Sequence, residues 1–318
     1  MLTALNVKSM LLGLAVGDAL GVPVEFTKRE SLKRNPVVGM RSAGAWKQPA
    51  GTWSDDTSLA VAAMDSIINQ KKIDYTDIMR NFSRWLYRDE FNANDVTFDC
   101  GNTTGSAISN FIGGMPPENC GMTDKYSNGN GSLMRILPAV VYAYAKASTE
   151  DEALDFVHKI SALTHAHPIS LVGCGIYYFI AAQIFDGKNL NDAINDGLKQ
   201  AQEFYMRREK FMDALKAYHR LFDENFSALP EDEIESYGYV VVSLEAAIWC
   251  LLNTDNYKDS VLKAVNLGSD TDTVGAITGC ISGLYYGVKE IPAEWLETLK
   301  KRDYLENLAE KFFFAING

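Results

Sequence analysis

Residues 266–287 read NLGSDTDTVGAITGCISGLYYG, and this stretch decides the fold class. A turn rich in acids and hydroxyls, GSDTDT (268–273), runs into an apolar segment in which Gly275, Gly279, Gly283 and Gly287 recur every fourth residue. At helical pitch that spacing puts the first three glycines on one face, with no side chain to hold a neighbouring backbone away. Glycine inside a helix costs roughly 1 kcal/mol relative to alanine. Close packing against this face therefore has to compensate, either as helix packing alone or as packing that also places the preceding aspartates deep in a central cleft. The pattern has a counterpart upstream, where GTWSDDTS (51–58) leads directly into a second apolar helical run.

Outward from these two segments the chain stays helical. Apolar residues recur at helical spacing, and runs of alternating β-branched residues flanked by hairpin turns are missing. The spacing predicts helices over 6–20, 56–70, 75–91, 104–111, 132–146, 149–163 and 169–185, and further on over 190–221, 238–252, 257–265, 273–286 and 304–314. The expected class is all-α. Two long non-helical stretches, 27–53 and 113–131, have the length of functional loops. No low-complexity linker or fixed-period repeat marks a boundary, so 1–318 reads as a single domain.

Composition narrows the function. Hydrophobic residues make up 47% and charged residues 22%, the balance of a globular chain with a large core. With 30 Lys and Arg against 41 Asp and Glu, the net charge is -11, and basic residues form no stripe that could track phosphates. Nucleic acid is not an expected partner. The five cysteines form no CxxC pair and no secretory signal precedes them, as expected for a reducing cytoplasm. The apolar N-terminus is interrupted by Asp18 and lacks an early basic cluster, so it reads as a first core helix. The apolar stretches 239–252 and 274–286 are shorter than the roughly 20 residues that span a bilayer, and no membrane association is expected.

The aspartates carry the chemistry. Ser54, Asp55 and Asp56 stand at a helix start, where hydroxyls and carboxylates cap free N–H groups and face the favourable end of the dipole. Capping also explains one aspartate of GSDTDT, but not two. Asp270, Asp272 and Thr273 can be directed by one turn to one point, and such hard oxygen ligands suit Mg²⁺, Mn²⁺ or Ca²⁺ rather than zinc. If the two helix starts face each other, four carboxylates would repel unless divalent ions lay between them. The glycine-rich segment SNGNGS (127–132) precedes another helix and reads either as a plain turn or as a cradle for a diphosphate. His165 and His167 lack the further ligands of a zinc site.

Seven blocks together resemble the ADP-ribosylglycohydrolases. They are GLAVGDALGVPVEF (13–26), WSDDTS (53–58), FDCGNTTGSAI (98–108), NGNGSLMRILPAV (128–140), LTHAHP (163–168), GYVVVSLEAAIW (238–249) and the 266–287 stretch. They span nearly the whole chain in the family's order. The resemblance implies a compact orthogonal helical bundle holding two Mg²⁺ or Mn²⁺ ions. It also implies hydrolysis of the bond between C1″ of ADP-ribose and an acceptor, either a protein side chain such as arginine or serine, or a small molecule. Carried over position by position, it makes Ser54, Asp55, Asp56, Asp270, Asp272 and Thr273 the metal ligands. Ser54 stands where threonine is commoner, and GSDTDT departs from the commoner GGDaDT form at Ser269.

The same resemblance offers Glu25 or Asp99 as the general acid or base, and two carboxylates flanking the scissile bond is the usual arrangement for such hydrolysis. It places Asn128, Gly129, Asn130, Gly131 and Ser132 against the diphosphate and His165 near the ribose or phosphates, with a helix-capping role open for His165. Tyr239 falls where relatives stack an aromatic on the ligand, or is a core tyrosine. Two other functions fit some of these features. One is a non-catalytic ADP-ribose-binding or crystallin-like protein. The other is a class I terpene synthase, whose DDxxD or DDxxE signature is not met by Asp55-Asp56-Thr57-Ser58-Leu59.

Overall fold

The computed structural model describes residues 2–318. Among them are fifteen α-helices and no β-sheet, only three isolated bridge pairs. In chain order the first six helices are α1 (Ala4–Gly21), α2 (Arg29–Arg34), α3 (Asp55–Gln70), α4 (Tyr75–Arg88), α5 (Asn102–Ile112) and α6 (Leu137–Lys146). Then come α7 (Glu150–Ala162), α8 (Pro168–Phe185), α9 (Leu190–Met206), α10 (Glu209–Lys216) and α11 (Val240–Leu252). The chain closes with α12 (Tyr257–Asn266), α13 (Thr271–Tyr286), α14 (Ala293–Thr298) and α15 (Arg302–Asn317).

The axis of the molecule is the pair α1 and α13, packed glycine on glycine. Gly13, Gly17 and Gly21 of α1 repeat the fourfold spacing of Gly275, Gly279 and Gly283 on α13. A methyl group at Gly17 would lie 2.1 Å from the Gly275 carbonyl oxygen, and one at Gly279 would lie 2.2 Å from that of Gly13. The contact ends at Gly21, where a methyl group would strike the Asp272 backbone. There the Thr271 hydroxyl donates to the Gly21 carbonyl (2.8 Å), closing the end of α1 with the beginning of α13. This close approach brings Asp18 of α1 and Asp272 of α13 to the same depth.

Around this pair α3, α8, α11, α12 and α15 supply a continuous apolar core. Helices α1 and α8 are long and apolar enough to cross a bilayer, but most of each is buried against other helices, so core packing accounts for their composition.

The structure departs from the periodicity reading in several places, including the short helix α14, which lies between the expected helices 273–286 and 304–314. The 190–221 pattern is two helices and a 3₁₀ turn, not one helix. Six residues along an uninterrupted helix turn through about 600°, which would point Tyr205 and Phe211 to different sides. The break at Arg208 lets both rings meet His158, with Tyr205 and Phe211 edge to face at 5.3 Å. The 132–146 helix starts only at Leu137, because Pro138 in its first turn has no N–H and resists upstream continuation. The 27–53 loop contains the short helix α2.

Candidate active site

Ser54 and Asp270 each stand at the N-cap of a helix, but only Ser54 caps with its side chain. Its Oγ accepts a long hydrogen bond from the Asp56 amide (3.4 Å) and donates to Asp56 Oδ2 (3.0 Å). The Asp270 carboxylate makes no capping bond and instead receives the Asn130 side-chain amide at 2.7 Å. The capping explanation therefore does not cover Asp270.

The start of α3 is held from elsewhere in the chain. Asp18, fully buried in α1, accepts from the Ser54 amide (2.9 and 3.0 Å), the Thr57 amide (3.1 Å) and the Thr57 hydroxyl (2.6 Å). It anchors the Ser54-Asp55-Asp56 turn beside α13 while its own oxygens are engaged. Carboxylate oxygens of Asp18, Asp56 and Asp272 fall within 4.8 Å of one another, as do those of Glu25, Asp270 and Asp272. Asp272 joins the two groups. Thr273 Oγ1 reaches toward Asp56 Oδ2 at 3.5 Å, linking the helix starts directly.

A cleft of about 330 Å³ opens above this floor. Glu25, Asp55, Asp99, Gly129, Asn130, Gly131, His165, Asp270 and Thr273 line it, while Ser54, Asp56 and Asp272 lie buried beneath. Three other expected ligand-binding residues do not line the cleft. Ser132 is fully buried and its Oγ accepts from the Ser161 hydroxyl, so the end of the glycine segment is committed to the core. Asn128 accepts the Val240 amide through its carbonyl. Tyr239 stacks on Tyr237 with ring centroids 6.5 Å apart, next to that same backbone pairing.

Other lining residues had no role at the level of sequence: Gly101, Asn102, Thr103 and Thr104, which open α5, and Met134. Asp18 was also missed. Its signal was available, since an acid inside the apolar run LAVGDALG needs a buried partner.

The electrostatics are those of crowded anions. Burial, assisted by Asp99 and Asp270, pushes Glu25 up to about 9, and burial pushes Asp18 up to about 7. Burial and neighbouring carboxylates hold Asp55, Asp56 and Asp272 well above the usual range. Burial raises Asp99 and Asp270 as well. Two oxygens, Asp56 Oδ1 and Asp272 Oδ2, are buried with no hydrogen-bond partner. Glu25 has one engaged oxygen, because the Trp46 indole N–H donates to Oε2. The Trp46 ring lies between Phe26 (6.3 Å) and Phe98 (5.7 Å), making an aromatic border to the acidic mouth.

The wall that presents Glu25 is strained. Phe26 and Ser269 both have positive φ (63° and 64°), and their backbones pair through Phe26 N to Ser269 O (2.7 Å) and Ser269 N to Thr27 O (2.9 Å). Ser269 thus occupies a left-handed position that favours glycine, which gives its departure from GGDaDT a physical cost. Ser269→Gly is expected to stabilise the protein by about 1 kcal/mol. A urea melt showing no gain would contradict this account of the strain.

Paired aspartates on opposed helix starts beneath one cleft define an all-α enzyme whose reaction centre is built from carboxylates. The ADP-ribosylglycohydrolase family model matches residues 3–317. The chain is 33% identical to an ADP-ribosylarginine hydrolase of Serratia proteamaculans, covering 96% of this chain and 78% of that one. It is 30% identical to the ADP-ribosyl-[dinitrogen reductase] glycohydrolase of Rhodospirillum rubrum, over 91% and 88%. A solved structure, an ADP-ribosylglycohydrolase-related protein complex, superposes with a TM-score of 0.80 at 29% identity over 98% of both chains. The chain belongs to the ADP-ribosylglycohydrolase family, and its activity is the hydrolytic removal of ADP-ribose from an acceptor. This family membership sets aside the terpene synthase alternative.

Proposed function

We propose that the chain cleaves the C1″ bond between ADP-ribose and the arginine side chain of a modified protein, with Mg²⁺ or Mn²⁺ held by its paired aspartates. The observation that carries the metal reading is the pair of buried carboxylate oxygens, Asp56 Oδ1 and Asp272 Oδ2, that lack any hydrogen-bond partner. Unpaired buried anions of this kind are costly unless a cation neutralises them. The oxygen-only donor set Ser54, Asp55, Asp56, Asp270, Asp272 and Thr273 fits hard divalent ions, and Asp272 belongs to two close carboxylate groups, one with Asp18 and Asp56 and one with Glu25 and Asp270, which suits two ions. Bound there, such ions supply positive charge that offsets the carboxylates and orients ribose hydroxyls.

The protein's own residues supply the rest. Burial and the nearby carboxylates favour a protonated Glu25, and with Oε2 receiving the Trp46 indole N–H, Oε1 is the oxygen left to carry the proton that the leaving nitrogen takes. Asp99 takes the proton of the attacking water as the water oxygen bonds to C1″. The C1″–N bond breaks, and the Glu25 proton passes to the leaving guanidine. Gly129 to Gly131 leave space for the diphosphate. An arginine acceptor is supported by the Serratia relative and by an ADP-ribosylarginine hydrolase of Pseudomonas putida at 32% identity. The acidic, aromatic-bordered mouth also suits a planar cation.

The test is release of ADP-ribose from arginine-linked, serine-linked and O-acetyl substrates, with Mg²⁺ or Mn²⁺ and then with EDTA. Metal-dependent release from the arginine linkage is expected. Tight binding of ADP-ribose with no release from any linkage would instead support a binding protein. Glu25→Gln is expected to reduce kcat by about 10²- to 10⁴-fold, the usual contribution of a general acid. Its affinity for ADP-ribose, read by calorimetry, should change little, and a large affinity loss with kcat retained would reassign Glu25 to binding.

A further inference from the structure

Arg135 is a fully buried cation that hydrogen-bonds through Nη2 alone. Its Nη2 donates to Thr164 Oγ1 at 2.8 Å and, at 3.4 Å, to the Ile160 carbonyl. Nε and Nη1 have no hydrogen-bond partner, and the guanidinium lies 4.7 Å from the centre of the Phe82 ring. Thr164, also fully buried, is 2.8 Å from His165 Nδ1.

A guanidinium cannot accept a hydrogen bond, so Thr164 Oγ1 accepts from Arg135. Among the described residues its hydroxyl proton has one acceptor in reach, His165 Nδ1. If Nδ1 carried the proton instead, the hydroxyl would receive two donors and its own proton would be buried without a partner, which is costly. His165 is neutral, since burial and the Arg135 charge hold its imidazolium form down to about 3.

We propose that Arg135, acting through Thr164, is a positioning residue that locks His165 as the Nε2–H tautomer and so presents a hydrogen-bond donor to an oxygen of the ligand in the cleft. The ring edge carrying Nε2 faces the glycine loop. A methyl group at Gly131 would lie 2.8 Å from Cε1 and 3.2 Å from Nε2, and one at Gly129 would lie 3.6 Å from Nε2. His165 is itself a lining residue. The identity of that ligand as ADP-ribose rests on the function proposed above, whereas the tautomer does not.

Nitrogen-15 NMR of histidine-labelled full-length protein reads the tautomer directly, with His165→Gln assigning the signal. The expected spectrum has an unprotonated Nδ1 and a protonated Nε2 that persist from pH 6 to 8, and a protonated Nδ1 in the wild type would overturn the proposal. Thr164→Val keeps the side-chain shape and removes the hydroxyl. It is expected to abolish the single-tautomer pattern and to weaken ADP-ribose binding about tenfold, the size of one lost hydrogen bond, with Thr164→Ser restoring both. An unchanged tautomer in Thr164→Val would also overturn the proposal. Arg135→Met is expected to give mixed tautomers, and a pure Nε2–H signal in that variant would remove Arg135 from the relay. Because the spectrum is read without turnover, a failed relay and a failed assignment of the reaction are separable.

Discussion

Replacing Asp272 with asparagine is expected to make the metal-free protein more stable and the enzyme at least about a hundredfold slower, since even outer-shell partners of a metal cost 10- to 100-fold when removed. Asp272 belongs to both carboxylate groups, and one of its oxygens is buried without a partner. Burial and the charges of Glu25, Asp99, Asp56 and Asp270 all disfavour its ionised form. Asparagine keeps the shape, removes the charge and offers an amide that neighbouring carboxylates can accept. A rise of a few degrees in the metal-free Tm is the corresponding estimate. The variant should also lose most of the stabilisation that Mg²⁺ or Mn²⁺ confers on the wild type. Wild-type turnover with the metal response intact would sink the paired-aspartate reading.

The same electrostatics set a pH dependence. Asp18 and Glu25 bind protons more tightly folded than unfolded, with folded values of about 7 and about 9. Their contribution to stability is therefore complete below the ordinary carboxyl range and is lost as pH rises through those values. The metal-free protein should melt at progressively lower temperature between about pH 5 and pH 9. Added divalent ion should recover more stability at the alkaline end, where protons no longer compete for the ligands. A metal-free Tm that climbs across this window would contradict the assignment of these shifts.

The largest stability loss is expected from Gly17→Ala. The new methyl group would meet the Gly275 carbonyl oxygen at 2.1 Å and its carbon at 2.5 Å, both backbone atoms of α13. No flexible side chain can move aside, so the two helices have to separate. About 3 kcal/mol or more is the estimate for overpacking of this kind. Separation would also shift Asp18 from the start of α3 and Asp272 from its partners, so metal binding should weaken along with stability. Gly105→Ala is the control. It lies inside α5 with its nearest neighbour at an ordinary 3.5 Å, and it should gain about 0.5–1 kcal/mol through reduced chain entropy. Equal effects of the two substitutions in a denaturant melt would dismiss the close-packed pair as the axis of the fold.

Much of this was legible along the chain. Glycines four apart on 275–283 announced a helix with a bare face, and the same spacing at Gly13, Gly17 and Gly21 marks the face on which it packs. The paired aspartates were legible because each pair stands at a helix start beside a hydroxyl, although side-chain capping accounts only for the Ser54 turn. Helix ends were less legible wherever long-range packing overrode periodicity, as at Arg208, where two aromatic rings turn toward His158.

The sequence alone determined the all-α class and most of its helices, which helix face can approach closely and which acids stand at helix starts, because these depend on residues within one or two turns of each other. Tertiary structure decided that Asp18 anchors a helix start 36 residues further along, that the Trp46 indole engages Glu25, and that Ser132 faces the core while Gly131 faces the cleft. It also decided that Arg135, Thr164 and His165 form one line of hydrogen bonds. Each of these depends on burial and distance between segments remote in the chain, and burial is what sets the charge state and donor direction of every group at the site.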